Sequence, residues 1–239
     1  MRHPLLLRAA VGAAGLAGCV GFLSSAARGA DLSLLARPPV TASLSGFARP
    51  VAPNLFGTVA LPVHAERYYA DWERARRDAS ALPQMQRLIA PARALTPDRQ
   101  VAFIQAAVTK QIHWMSSATL WGKHSYWASA AETLDKGAGD MANRAIVKMQ
   151  ALHALGIPTK DLYLTMGRDK VGGPITVLLV RLGSRVYVLD DTGGAPYSTE
   201  HRPEFEPMLT FGYGAFWIHG RAVAQKIAAA ATGAVAARK

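Results

Sequence analysis

GAGDMANRAIVKMQALHALGIP (residues 137–158) and GRDKVGGPITVLLVRLGSRVYVLDD (residues 167–191) hold the change of hydrophobic period on which the fold of this chain turns. In the first run Asp140 is a good N-cap, Ala145, Met149 and Leu152 fall on one helical face, and Gly156 with Pro158 marks the end. In the second the period shortens to two. Residues 175–182 and 185–189 predict a hairpin across Gly183-Ser184, with a short strand before it over 162–166 and a last strand near 211–218. Helices first and antiparallel strands afterwards predict an α+β fold rather than a doubly wound parallel sheet.

Working outward, Thr96-Pro97-Asp98 predicts a helix start, with a hydroxyl N-cap, proline at the first position and an acid in the first turn, and the helix should run to about residue 113 or 114. Residues 63–78 have helical character, with Tyr68, Tyr69, Trp72 and Ala75 as a core-facing stripe, whereas residues 115–139, rich in Ser, Trp and Gly, read as irregular. Pro38, Pro39, Pro50 and Pro53 mark residues 31–53 as a tether or surface strap. The Ala-rich stretch 221–239 reads as a C-terminal tail, which leaves residues 54–220 as the folded domain.

The 239 residues are 50% hydrophobic and 18% charged, which excludes a disordered chain, a collagen-like repeat and a disulfide scaffold. The one cysteine, Cys19, can form neither an internal disulfide nor a multi-cysteine zinc site. It lies in a segment with a basic start (Arg2, His3, Arg8) and an uncharged apolar run over residues 9–23, too short to cross a ~30 Å hydrocarbon core. Residues 1–30 therefore read as a secretory signal peptide. Leu16-Ala17-Gly18-Cys19 is a lipobox-like string that would acylate Cys19; cleavage near residues 25–27 or after Ala30 is the alternative. Either way the folded domain holds no free thiol. Loss of residues 1–30 removes Arg2, Arg8 and Arg28 and no acid, lowering the net charge from +11 to +8. The one basic cluster, Arg74-Ala75-Arg76-Arg77, is flanked by Glu73 and Asp78 and reads as a solvated helix face, so no nucleic-acid partner is expected.

The two runs quoted above resemble the bacterial transglutaminase-like cysteine proteinases. Leu55-Phe56-Gly57-Thr58, Trp72, the stretch from Trp121 to Trp127 and Glu132-Thr133-Leu134 fit the same pattern, so the resemblance extends over residues 54–218. It implies a papain-like, transglutaminase-like fold in which the helix bearing the nucleophile packs on an antiparallel sheet. The family pattern opens that helix with Gly-Asp-Cys-Glu-Asp, begins a strand with His and ends the next with Leu-Asp-Asn. A thiolate at a helix N-terminus is stabilised by the helix dipole and a nearby imidazole, and the acid orients the imidazole.

Aligned without gaps, Met141 stands at the nucleophile, Ile175 at the base and Asp190 at the acid. Asp140 matches the acid before the nucleophile; Ala142 and Asn143 replace the two after it. The resemblance therefore implies a peptidase homologue without cysteine chemistry, a cleft filled by apolar side chains, and loss of the calcium site that calcium-dependent members build there. No cofactor and no metal site are expected. A residual binding cleft is expected around Asp140, Arg144, Trp121 and Trp127. Asp190 should accept hydrogen bonds from backbone amides or a cation, with Arg144 as a possible partner unless Arg144 pairs with Asp140.

A substitute nucleophile would come from Ser116, Ser117, Ser125, Ser129 or Thr176, with His113, His124, His153, His201 or His219 as base. The functional expectation is an exported pseudoenzyme, periplasmic or secreted, that binds a peptide or an envelope or secreted protein and meets the membrane only through its signal peptide or a lipid anchor. Some members of the resembled family release a biofilm adhesin and answer to an inner-membrane receptor. A hydrolase or acyl transferase using serine or threonine, and a structural envelope lipoprotein, are the alternatives.

Overall fold

The computed structural model describes residues 53, 55–169, 173–201 and 205–221, all within one unit, residues 48–239. The signal segment with Cys19, most of the Pro-rich stretch and all but the first residue of the Ala-rich tail lie outside the described residues. Nine strands and six α-helices follow in order: β1 (Val59–Val63), α1 (Tyr69–Ala75), α2 (Pro83–Ile89), α3 (Pro97–Gln111), β2 (His113–Trp114), α4 (Ser117–Trp121), α5 (Ala130–Lys136), β3 (Ala138–Gly139), α6 (Met141–Ala154), β4 (Leu162–Asp169), β5 (Gly173–Leu182), β6 (Arg185–Leu189), β7 (Tyr197–Ser198), β8 (Phe205–Phe211) and β9 (Phe216–Gly220).

Seven strands form an antiparallel sheet in the order β1-β9-β8-β4-β5-β6-β7, and β2 and β3 pair in parallel. The α+β expectation holds. α6 is the pivot: residues 142–152 are all buried. Its apolar side chains Ile146, Met149 and Leu152 meet Leu164, Leu178 and Val180 from the sheet. The other face of the sheet buries Tyr163, Val177, Leu179, Val188, Phe205 and Trp217. Strict alternation along β4 and β5 produces both cores, because neighbouring residues of a strand point to opposite faces.

Several elements differ from the sequence reading. Residues 63–78 are not one helix: β1 ends at Val63, a 3₁₀ turn covers Glu66–Tyr68, and α1 stops at Ala75. Trp72 and Ala75 are buried as expected, while Tyr69 is exposed. The stretch read as irregular holds α4 and α5, each started by a serine that caps it. Ser129 and Glu132 form a reciprocal capping box, and Gly122 and Gly137 end the two helices in the left-handed region. Thr96 precedes α3 in extended conformation but makes no side-chain cap, so Pro97 sets that start. The single late strand is two, β8 and β9, joined by a turn at Gly212–Ala215.

β4 runs on to Asp169, past a register shift between Met166 and Gly167 against β8. Met166 pairs with Leu209 and Gly167 with Pro207, which leaves Met208 as the extra residue of a bulge. Gly167 is obligatory there: a Cβ would lie 2.5 Å from the Glu206 carbonyl oxygen and 2.6 Å from the Phe205 ring. Gly167→Ala is expected to cost about 1–3 kcal/mol by overpacking. Gly220→Ala, whose Cβ meets nothing within 4 Å, should stay within about 0.5 kcal/mol of the parent. Urea denaturation of both variants checks this, and equal stabilities would refute it.

Candidate functional site

α6 begins where β3 ends. Asp140 accepts a hydrogen bond from the Asn143 amide (3.0 Å) through one carboxylate oxygen and from the Ser117 hydroxyl through the other. Asn143, fully buried, accepts from the Ala128 amide at 3.0 Å, tying the loop before α5 to the start of α6. Met141 therefore stands at the first position of a helix whose cap and neighbouring loop are both fixed.

Beside Met141 opens a cleft of about 570 Å³. It is open rather than filled, which corrects the expectation of an occluded site. Its walls come from α6 (Met141, Ala142), β4 (Met166, Gly167), β5 (Ile175, Thr176) and β8–β9 (Met208, Leu209, Ile218), with Tyr68, Trp127 and the His124-Ser125 pair above. The cleft is apolar because both partners are: a helix start carrying a thioether faces a sheet row built of leucine, isoleucine and methionine. A second groove of about 480 Å³, walled by Tyr69, Trp72, Tyr213 and Phe216, shares no residue with it.

The expected site residues divide accordingly. Met141, Asp140 and Trp127 meet in the cleft; Ile175 is among its lining residues, but its side chain packs on the other face of the sheet with Val177 and Phe205, and Thr176 is the β5 side chain in the row on the α6 face. Asp190, Arg144 and Trp121 are not among the lining residues. Asp190 is buried; its carboxylate accepts from the Thr192 amide (3.0 Å) and hydroxyl (2.7 Å) and from the Tyr197 hydroxyl (3.1 Å). Arg144 pairs with Asp191 (2.6 Å), not with Asp190 or Asp140, and donates to the Thr109 carbonyl as well. Thus the second acid of Leu189-Asp190-Asp191 is the one held against α6. Trp121 packs on Tyr126 outside the cleft.

Of the substitute groups, Ser116 and Ser129 are helix caps and Ser117 is spent on Asp140. His219 is held between Thr58 and Thr210, and His201 meets Ser198. Ser125, His124 and Thr176 line the cleft, but no hydrogen bond joins Ser125 to a histidine among the described residues. Also among the described residues, no group of three or more His, Cys, Asp or Glu side chains is disposed to hold a metal ion, and no helix is long and apolar enough to cross a membrane.

The residues around Met141 and Asp191 sit in a frame that comparison with known proteins recognises. Residues 73–195, more than half of the chain, match the family described as bacterial transglutaminase-like cysteine proteinase, BTLCP. The chain belongs to that family. Among solved structures it is similar to LapG of Legionella pneumophila, with 21% identity over 56% of this chain and 75% of that one and a TM-score of 0.50. The calcium-bound form of LapG gives 21% identity over 58% and 80%, and the EGTA-treated form 20% over 58% and 78%, both with a TM-score of 0.50. At that level of identity the likeness speaks for the fold. No curated protein matches in a direct sequence comparison.

Sequence reasoning named Arg144 but missed the second buried cation of the helix, Lys148. Lys148, one turn on from Arg144, is 1% exposed and donates to the Asp190 carbonyl oxygen (2.5 Å), which also accepts from Gln105 (3.2 Å). An arginine and a lysine four residues apart in a helix between a capped start and a glycine stop were the available signal, since buried cations need partners. Burial lowers Lys148 to about 8; Asp191 acts against that shift and Arg144 adds to it. Burial likewise raises the Asp191 carboxyl, against the pull of Arg144 and Lys148. An unfolded lysine keeps its proton to about pH 10.4. Between about 8 and 10.4 the unfolded chain thus binds the extra proton, and stability from this group rises with pH through that window. Relative to Lys148→Met, the parent should gain in urea midpoint between about pH 7.5 and about pH 9.5; a parallel or falling trend would refute it.

Proposed function

We propose that this chain is an exported, catalytically inactive bacterial transglutaminase-like protein, periplasmic or secreted, that holds a polypeptide in the cleft beside Met141 without cutting it. The observation that carries the reading is the chemistry of the cleft walls. A thioether stands in the cleft at the position that matches the family's thiol; Ile175, which matches the imidazole when the sequences are aligned without gaps, packs its side chain on the other face of the sheet, and the β5 side chain on the cleft face is Thr176. A thioether has no proton to lose and forms no acyl-enzyme, and Ile175 has no lone pair with which to accept one. Both losses are complete, while the cleft remains open to a ligand. Envelope or secreted proteins are the fitting partners, and the basic, apolar residues 1–30 support export.

Calcium has no place in this reading. A hard cation takes six to eight oxygen ligands. Ala142 brings no side-chain oxygen, and the side-chain oxygens of Asn143 and Asp140 are turned to the Ala128 amide and to the Asn143 amide and Ser117 hydroxyl, which leaves too few acidic ligands to favour one.

A serine or threonine hydrolase is the competing reading, favoured by the presence of Ser125, His124 and Thr176 in the same cleft. Incubating the full chain with a panel of peptides and esters separates the two. Intact substrates by mass spectrometry, with or without thiol reagents, are expected; turnover abolished by Ser125→Ala would establish the hydrolase instead. Radiolabelled fatty acid incorporated by the parent and lost in Cys19→Ala would establish lipidation over ordinary signal cleavage.

A further inference from the structure

The cleft does not end at its own rim. Leu61, Ile218, Leu209, Met166 and Thr176 form one cross-strand row over β1, β9, β8, β4 and β5, each paired with the next by register. Five strands at ~4.8 Å spacing make this row about 19 Å long. Leu61 is 57% exposed and Ile218 50%, and the bulged Met208 beside Leu209 is 48% exposed. With Val59, which shares the alternation of Leu61 along β1, these are four of the six large hydrophobic side chains exposed among the described residues. Scattered exposed apolar residues are ordinary, but a continuous band that runs into a cleft marks an interaction surface.

Two features say what covers it. The first is shape and polarity. Methionines from three elements, Met141, Met166 and Met208, line the cleft and can repack around ligand side chains of differing shape. Thr176, Ser125 and His124 on the same walls can hydrogen-bond to a peptide backbone. An acyl chain is better served by an enclosed cavity than by a band half open to water. The second is charge. Exposed Arg168 belongs to the cleft lining, and Arg67 lies 4.6 Å over the Tyr68 ring that forms another part of it. Neither has a carboxylate partner among the described residues. The acid of the lining, Asp140, is engaged by Ser117 and Asn143.

Resting on the binding reading above, we infer that the row from Leu61 to Thr176 docks an extended apolar segment of an acidic protein. About six residues with bulky aliphatic side chains span the ~19 Å row at ~3.3 Å per residue. Asp or Glu residues flanking them meet Arg168 and Arg67.

The test measures fluorescence polarisation of a labelled peptide, about ten residues long, with leucine and valine alternating with serine and two aspartates at each end, titrated with the full chain. A lysine-ended version and palmitate at sub-micellar concentration are the comparisons. The aspartate-ended peptide should bind at least tenfold tighter than the lysine-ended one. Ile218→Asp and Met208→Gln, both at half-exposed positions, should each weaken binding about tenfold. Arg168→Glu should shift preference towards the lysine-ended peptide. Binding that ignores the end charges and both band variants overturns the inference and leaves the binding reading standing. Cleavage of the peptide overturns the inactive reading instead. Binding of palmitate with no binding of either peptide replaces the polypeptide by a lipid and overturns both. Circular dichroism of each variant checks folding, and Met208→Gln, in a bulge side chain, carries the comparison should Ile218→Asp unfold.

Discussion

Two cations inside a buried helix hold this structure to its sheet. Arg144 and Lys148 lie on one face of α6 and reach the end of β6, Arg144 through the Asp191 carboxylate and Lys148 through the Asp190 carbonyl. Buried charge is costly unless paired, and removing one partner of such a cluster strands the others. The segment after β6 is thereby fixed against α6, and Gln105 of α3 joins it through the Asp190 and Gly194 carbonyls. The N-terminus of α6 and the β4–β8 bulge both line the cleft. The cleft is the space left between them.

A capped helix N-terminus facing a strand pair is the arrangement in which a thiolate would be stabilised by the dipole and serviced by an imidazole. Here Asp140 caps the helix, and the Met141 thioether stands at its first position and lines the cleft. Met141 and Ile175 are only partly buried, so the packing of α6 on the sheet does not hang on which side chains stand at those two positions. The cleft is apolar and continuous with the exposed band on β8, β9 and β1.

Much of this was legible from the residues. The run of strand-forming residues over 175–182 and 185–189 about the Gly183-Ser184 turn marked the hairpin, and Asp140 with Gly156 marked both ends of α6, because local chemistry decides those features. The α4–α5 region was read as irregular because its two helices are only five and seven residues long and are defined by serine caps and left-handed glycines rather than by apolar periodicity. β8 escaped because Glu206, Pro207 and the extra Met208 break its alternation. The sequence reading offered Arg144 the acids Asp190 or Asp140 and passed over Asp191, because one residue along a strand end reverses the side-chain direction. The cleft itself is assembled from seven stretches of the sequence, and no local pattern announces it.

The most direct test labels the methionine methyl groups with ¹³C and follows them by NMR as the aspartate-ended peptide is added to the full chain. Met141, Met166 and Met208 line the cleft, while Met85 and Met149 are fully buried elsewhere. Shifts at the first three, little change at the other two, and recovery of the uncut peptide are the results expected of a cleft that binds without catalysis. Unmoved cleft signals, or a hydrolysed peptide, would contradict it.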